Sequence, residues 1–428
     1  MREKSIAFIF IVVCSLGLRA QNITAFYDSN GAFNIFDNGL IVYKEFAKPI
    51  SFKVGGNCVA FIDNETIFKI YYKGQILKPY GDNLIDGYNV THNLVLFTIR
   101  NKLLVFDNGQ TTVLVNNPGH TIAFSDNGAY NYQVSDSLLV FQDTDTKSLQ
   151  VYCNGKIDTL ATTPPIYPKL YPITQNVKYG RLQTYTYNYM LGKNTLAFMD
   201  KLTFKVYYNN KLYNLFSFPA PDSNNTQITN KYNSFSCATN IVGYINPFTK
   251  KLCAFYKGQN YVMPTGYLCG YTVGDNMLTY TDSAGVHVFY DAKIYDIPDL
   301  NVNFIRRPTN GYYASKYVEA SYTYNAKYAT NNFIIKDGIM LFYVNGRNKI
   351  FCQGAIYELG DINNQQFQID NNTIAWIDHQ NNLNTLYNGK PFTLSTLIMP
   401  SSYTVCGNTV WFNTTANRDQ VFFKGKIY

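Results

Sequence analysis

Six aspartates recur at one place in a repeating phrase: Asp28, Asp63, Asp143, Asp200, Asp282 and Asp378. Each closes a strand-like run such as "VAFID" (Val59–Asp63) or "LAFMD" (Leu196–Asp200). Two carboxylates facing one another could hydrolyse a glycosidic bond. Carboxylates with backbone carbonyls could take up calcium. The regular recurrence argues against both, because a catalytic pair breaks a repeat rather than following it. An Asp just past a strand is more simply a turn former, whose oxygens accept from nearby backbone N–H groups. "DSNG" (Asp28–Gly31) and "DTDT" (Asp143–Thr146) begin like calcium loops, but no full ligand spacing follows.

The other reactive residue types are as dispersed. His92, His120, His287 and His379 fall in four different repeats and read as loop or surface residues. There is no G-x-S-x-G, no H-E-x-x-H and no phosphate loop. Cys58, Cys153, Cys237, Cys253, Cys269, Cys352 and Cys406 include no C-x-x-C pair, so no zinc site is expected. Most sit inside apolar strand patterns as small core residues, and no disulfide pairing is expected. Trp376 and Trp411 occupy near-equivalent strand sites and read as core. The expectation is a protein without metal or cofactor that is not an enzyme.

The elements that carry these residues are written in the repeat itself. "KIYYKGQIL" (Lys69–Leu77) returns as "QVYCNGKIDTL", "KVYYNNKLYNL", "VFYDAKIYDI", "KIFCQGAIYEL" and the closing "VFFKGKIY". The full unit, as in "FKVGGNCVAFIDNETIFKIYYKGQILKPY" (Phe52–Tyr80), divides into four short strands, A to D. Its C–D turns are Asn38-Gly39, Lys73-Gly74, Asn108-Gly109, Asn154-Gly155, Asn209-Asn210, Lys257-Gly258, Asp291-Ala292, Gln353-Gly354, Asn388-Gly389 and Lys424-Gly425. A two-residue hairpin turn of type I′ needs positive φ at both positions, which Gly and Asn enter at least cost. Ala292 alone departs, so it should be strained or in another turn.

The second turn positions are spaced 35, 35, 46, 55, 48, 34, 62, 35 and 36 residues apart, which gives ten units. Four-stranded units in tandem are the signature of a β-propeller. The expected fold is all-β: one propeller of about ten four-stranded blades over 21–428. The other arrangement is two smaller propellers divided within 161–192. Unit one has strands B to D but no room for strand A, and the chain reaches Tyr428 inside strand D of unit ten.

"NTIAWIDHQNNLNTLYNGKPFTL" (Asn372–Leu394) resembles the repeats of TolB-type and WD-repeat-like propellers, with their I-A-F-x-D, I-Y-x-x-x-G, L rhythm. The resemblance covers nearly the whole chain after its first segment. The C–D turn is shorter than in TolB-type repeats, and no Trp-Asp dipeptide marks strand C. What the resemblance implies is a propeller that serves as a binding scaffold.

Long D–A connections at 161–192, 216–232 and 298–332 all leave from one face, and function concentrates on such loops. They are rich in tyrosine and basic residues: Tyr167, Tyr171, Tyr179, Arg181, Tyr185 and Tyr187 in the first, and Arg306, Arg307, Tyr312, Tyr313, Lys316 and Tyr317 in the last. This composition suits a protein interface, so these twelve residues are the candidate partner-binding set. The competing reading has the tyrosines packing each insertion onto the propeller. A glycan is the other partner class considered, stacked on exposed rings.

"MREKSIAFIFIVVCSLGLRAQN" has the charged, apolar and small-residue layout of a signal peptide over residues 1–20, with cleavage after Ala20. Its apolar run is short for a transmembrane helix. The net charge of +8 falls to +6 without Arg2, Glu3, Lys4 and Arg19, and forms no basic run, so nucleic acid is not the expected partner. Export to the periplasm or surface of a Gram-negative bacterium is expected. The expected role is a non-catalytic protein–protein scaffold in the cell envelope, with a subunit of a surface or secretion machine as one form of it.

Overall fold

The computed structural model describes residues 23–428 except 29, 101, 117–131, 143–147, 163–188, 220–234, 267, 269, 299, 301–332, 361, 363–365, 371–372, 388, 397–401 and 415–417. Among the described residues the regular elements are all β-strands, gathered into ten antiparallel sheets. Blade 1 holds three strands, β1 (Ile23–Tyr27), β2 (Phe33–Asp37) and β3 (Leu40–Glu45). Blade 2 holds four, β4 (Ser51–Val54), β5 (Cys58–Ile62), β6 (Phe68–Tyr72) and β7 (Gln75–Leu77), hydrogen-bonded in chain order as A-B-C-D. The remaining eight blades repeat that order.

Local chemistry makes the strands. Their residues are rich in Val, Ile, Phe and Tyr, which fit a pleated, half-buried surface. The C–D turns have the backbone of type I′: φ is +51° and +97° at Asn38 and Gly39, +47° and +83° at Lys73 and Gly74, and +49° and +58° at Asn209 and Asn210. Asp291 and Ala292 adopt the same turn, at +47° and +60°. Ala292 is therefore not in a different turn but strained in this one, because its Cβ crowds the carbonyl in the left-handed region.

Neighbouring sheets pack face to face, and each of the ten gaps between consecutive blades contains its own cluster of buried apolar side chains among the described residues. One sheet cannot bury both of its faces alone, so each blade depends on both neighbours. Ala60, Ala197 and Ala375 lie fully buried in these gaps, where the small side chain lets the next sheet come close. The gap between blades 4 and 5 is as filled as the others: Leu138, Val140 and Val151 meet Leu196, Phe198 and Tyr207. The alternative of two propellers divided there is overturned. The ring is one, and it closes where Phe26 and Phe36 of blade 1 pack on Val421 and Phe423 of blade 10.

The tyrosines of "KIYYKGQIL" act across these gaps. Tyr71 donates to Asp37 Oδ2 of blade 1 at 2.8 Å, and Tyr72 donates to Asn108 Oδ1 of blade 3 at 3.4 Å. Tyr152 and Tyr207 make the same backward link, to Asp107 and Asp158.

Candidate functional site

All twelve candidate residues (Tyr167, Tyr171, Tyr179, Arg181, Tyr185, Tyr187, Arg306, Arg307, Tyr312, Tyr313, Lys316 and Tyr317) lie outside the described residues. The structure does describe where their segments are rooted. The first leaves after the strand Lys156–Ala161 and returns at Tyr189–Leu191, which is strand A of blade 5. The second leaves after Lys211–Ser217, so that Phe216 is still strand and Phe218 is buried against blade 6. The third leaves after Lys293–Ile297, with Leu300 still in the core, and returns at Phe333. All are D–A connections and share one face of the ring.

The recurring aspartates are built into turns. Asp63 Oδ1 accepts from the N–H groups of Glu65 (3.0 Å) and Ile67 (2.8 Å), and its Oδ2 pairs with Lys69 at 2.6 Å. Asp28 accepts from Asn30, Ala32 and Lys44, and the ammonium of Lys44, with these N–H groups, holds its carboxyl down at about 2. Asp378 takes the N–H groups of Gln380 and Asn382 and the amides of Asn382 and Asn384. Burial raises the carboxyls of Asp63 and Asp378, but these bonds outweigh it and the net shift is downward. Asp200 pairs with Lys205 at 2.6 Å. Asp143 lies outside the described residues. Asp28, Asp63, Asp282 and Asp378 thus accept from backbone N–H groups of the turn that follows, as the turn-former reading expects, whereas Asp200 is held by Lys205 alone among the bonds described.

His287 departs from its expected loop or surface position. It lies in a strand (Gly285–Tyr290), stacked on Tyr280 at 4.8 Å, with Nε2 3.0 Å from Asp282 and Nδ1 2.7 Å from Asp296. His92 sits in an A–B turn, where burial lowers its pKa. His379 is exposed. The six described cysteines form no disulfide with one another, and burial pushes the thiols of Cys58, Cys237 and Cys406 up to about 12. Such thiols are poor nucleophiles. Among the described residues no group of three or more His, Cys, Asp or Glu could hold a metal ion.

One polar constellation was not anticipated. On the face opposite the insertions, the A–B turns hydrogen-bond to one another around the axis. Asn194 donates to Asn240 (2.5 Å), and Asn240 to Asn276 (2.6 Å). Asn57 donates to Asn93 (3.3 Å), and backbone links such as Asn93 N to Asp136 O (2.9 Å) run alongside. The turns approach so closely that a Cβ on Gly192 would strike the backbone of Ala238. Lys193 of blade 5 reaches into the axis and pairs with Asp275 (2.5 Å), Asp337 (3.0 Å) and Asp136 (3.8 Å) of blades 7, 8 and 4. Burial disfavours its charge, but the three carboxylates overcome this and raise its pKa. A cavity of about 380 Å³ opens between strands A of blades 8, 9 and 10, with Lys336 and Asp370 among its lining. The sequence signal for the girdle is an Asn just before strand B, at Asn57, Asn93, Asn194, Asn240, Asn276 and Asn408.

Blade 1 is the one irregular blade. In the other nine, the aromatic of strand A lies directly across from an aromatic of strand B: Phe52 and Phe61, Tyr88 and Phe97, Phe367 and Trp376, Tyr403 and Phe412. Phe26 is the strand B member in blade 1, which has no strand A among the described residues. It stacks instead on Trp411 of blade 10, with ring centroids 5.8 Å apart and planes at 29°. Trp411 is not equivalent to Trp376. It stands one position earlier in its strand, across from Thr404, and so points to the opposite face.

Ten radially packed sheets, nine of four strands and one of three among the described residues, with inter-blade turn contacts define a β-propeller. The chain belongs to the 10-bladed beta propeller domain family, whose model matches residues 17–310 and, again, 169–428. No curated protein matches the sequence. Among solved structures it is similar to the computationally designed Ika8 protein (12% identity, 94% of each chain, TM-score 0.30). It is similar also to apo AztD from Citrobacter koseri (11% identity, 76% of this chain and 89% of that one, TM-score 0.27). A third is Hsv2p of Kluyveromyces lactis (8% identity, 56% of this chain and 73% of that one, TM-score 0.22). Likenesses this low carry no argument about ligand or role.

Proposed function

We propose that the chain is an exported, non-catalytic propeller that holds a protein partner on its D–A face, within the envelope of a Gram-negative bacterium. As a subunit of a surface or secretion machine it would present that face to its neighbours. The observation that carries this reading is the division of labour between the faces. The axial A–B turns are bonded to one another, whereas every long insertion is rooted on the opposite face. Rigid scaffolds commonly carry their binding residues on such loops. The tyrosine- and arginine-rich composition of the insertions is that of interface hot spots.

The test replaces residues 301–332 with a linker of the length that joins Leu77 to Gly87 in blades 2 and 3. Partner capture from envelope extract should be lost while the chain still melts in one cooperative transition. Unchanged capture would remove this insertion from the interface. Amino-terminal sequencing of the exported protein should begin at Gln21.

A further inference from the structure

We propose that the inner edge of blade 1 takes its missing fourth strand from a partner protein. The occupant is an extended segment with an aromatic-x-aliphatic core, hydrogen-bonded antiparallel to β1. This site is separate from the insertions and does not depend on them.

The other nine blades show what the slot accepts. Their strands A carry Phe52-Lys53-Val54, Tyr88-Asn89-Val90, Tyr271-Thr272-Val273, Phe367-Gln368-Ile369 and similar triplets. The aromatic meets the strand B aromatic, and the aliphatic enters the inter-blade core. In blade 2, Gly55 N donates to Cys58 O and Ile50 N to Ile62 O, each at 2.8 Å, so alternate residues of strand B turn their backbone groups towards strand A. The same positions in β1 are Ile23, Ala25 and Tyr27. Ile23 O corresponds to the carbonyls that receive Thr91 N, Ser135 N and Gly192 N in blades 3, 4 and 5. In blade 1 no described backbone N–H reaches it, and only the weak donor of the Cys406 thiol does, at 4.0 Å. A strand edge without a backbone partner among the described residues is a template for strand addition.

Two side chains mark the slot as well. Among the described residues Phe26 has no partner strand on its inner side. Trp411 covers it from blade 10, at a position held by Ala25, Ala60, Ala197, Gly243 and Ala375 in other blades. The Trp411 Nε1–H is buried without an acceptor, and a strand laid beside β1 brings backbone carbonyls to that side. The chain's own upstream residues do not supply the pattern. With Asn22 aligned on Asn57, the aromatic position falls on Gly17, and Gly17–Asn22 contain no aromatic residue.

The probe is the peptide Ser-Phe-Lys-Val-Gly-Gly-Asn, copying Ser51–Asn57, titrated into the full chain. Saturable one-to-one binding with a change in tryptophan fluorescence is expected. Replacing the peptide's Phe by Ala should weaken it at least about tenfold. N-methylation at its Lys, whose counterpart Lys53 pairs with Ala60, should weaken it as much. In Trp411→Phe the fluorescence change should disappear. No binding to a chain that melts cooperatively overturns the proposal. So does binding indifferent to the aromatic and to N-methylation. Self-association that the peptide competes away would assign the slot to a second copy and overturn it equally. Because the peptide variants test an unaltered chain, and capture through 301–332 is measured separately, either idea can fail without the other.

Discussion

The phenol of Tyr71 donates to Oδ2 of Asp37 at 2.8 Å, across the gap between blades 2 and 1. The two residues are neighbours only because one sheet lies against the next. Tyr71→Phe should lower stability by about 1 kcal/mol, the usual net value of such a bond. Tyr71→Ala also removes a buried ring and should cost about 3 kcal/mol or more. Urea midpoints read both, and an unchanged m-value would show that the ring stays intact.

Alkaline pH should destabilise the fold. Burial raises the phenols of Tyr71, Tyr152, Tyr207 and Tyr244, with nearby Asp37, Asp107 and Asp158 adding to it in the first three. Tyr132, Tyr189 and Tyr280 are pushed up to about 12. A phenol raised on folding keeps its proton in the folded state after the unfolded chain has lost it. Its stabilisation is complete below pH 10 and is lost as pH rises towards the folded values. At the other end Asp28, at about 2, contributes stability above the ordinary carboxylate range that is lost as pH falls through it. Thermal midpoints should be level from about pH 5 to 9, fall in acid below about pH 4, and fall above pH 10. A midpoint unchanged at pH 11 would contradict the burial of these rings.

Asp63 separates a turn former from a catalytic carboxylate. Asp63→Ala strands two N–H groups and Lys69, and should cost about 3 kcal/mol. Asp63→Asn keeps the oxygen that caps the turn and should cost about 1 kcal/mol. Neither should alter partner capture. A stable Asp63→Asn protein that had lost a glycan-cleaving activity would instead reassign these residues.

Ala292 holds φ at +60° in a turn where eight other blades place glycine at the same position with φ between +71° and +97°. Ala292→Gly should therefore raise stability by up to about 1 kcal/mol, the left-handed penalty less the added freedom of the unfolded chain. A lowered melting temperature would show that the turn is not strained.

Much of the fold was legible because it is local. Asn-Gly and Lys-Gly pairs between period-two strands announce their hairpins, and ten of them count the blades. Even the exception, Ala292, announced its strain. What lies between blades was not legible. Asn240 reads as one more turn residue, and nothing near it in the chain says that it binds Asn194 and Asn276. Lys193 finds Asp136, Asp275 and Asp337 only because the ring brings four blades to one axis. Phe26 and Trp411, almost a full chain length apart, meet only when the ring closes. The candidate tyrosines and arginines rest on composition and on the face from which their segments leave.

The single closed ring is tested most directly by distance between its first and last blades. Leu40 is 68% exposed on strand D of blade 1, and Lys426 is exposed on strand D of blade 10. Cysteines at these two positions can carry spin labels, since the described native thiols are held protonated. One narrow distance distribution is predicted, at the roughly 10 Å spacing of packed sheets plus the label tethers. A broad or long distribution in a cooperatively folded chain would contradict closure of blade 10 on blade 1.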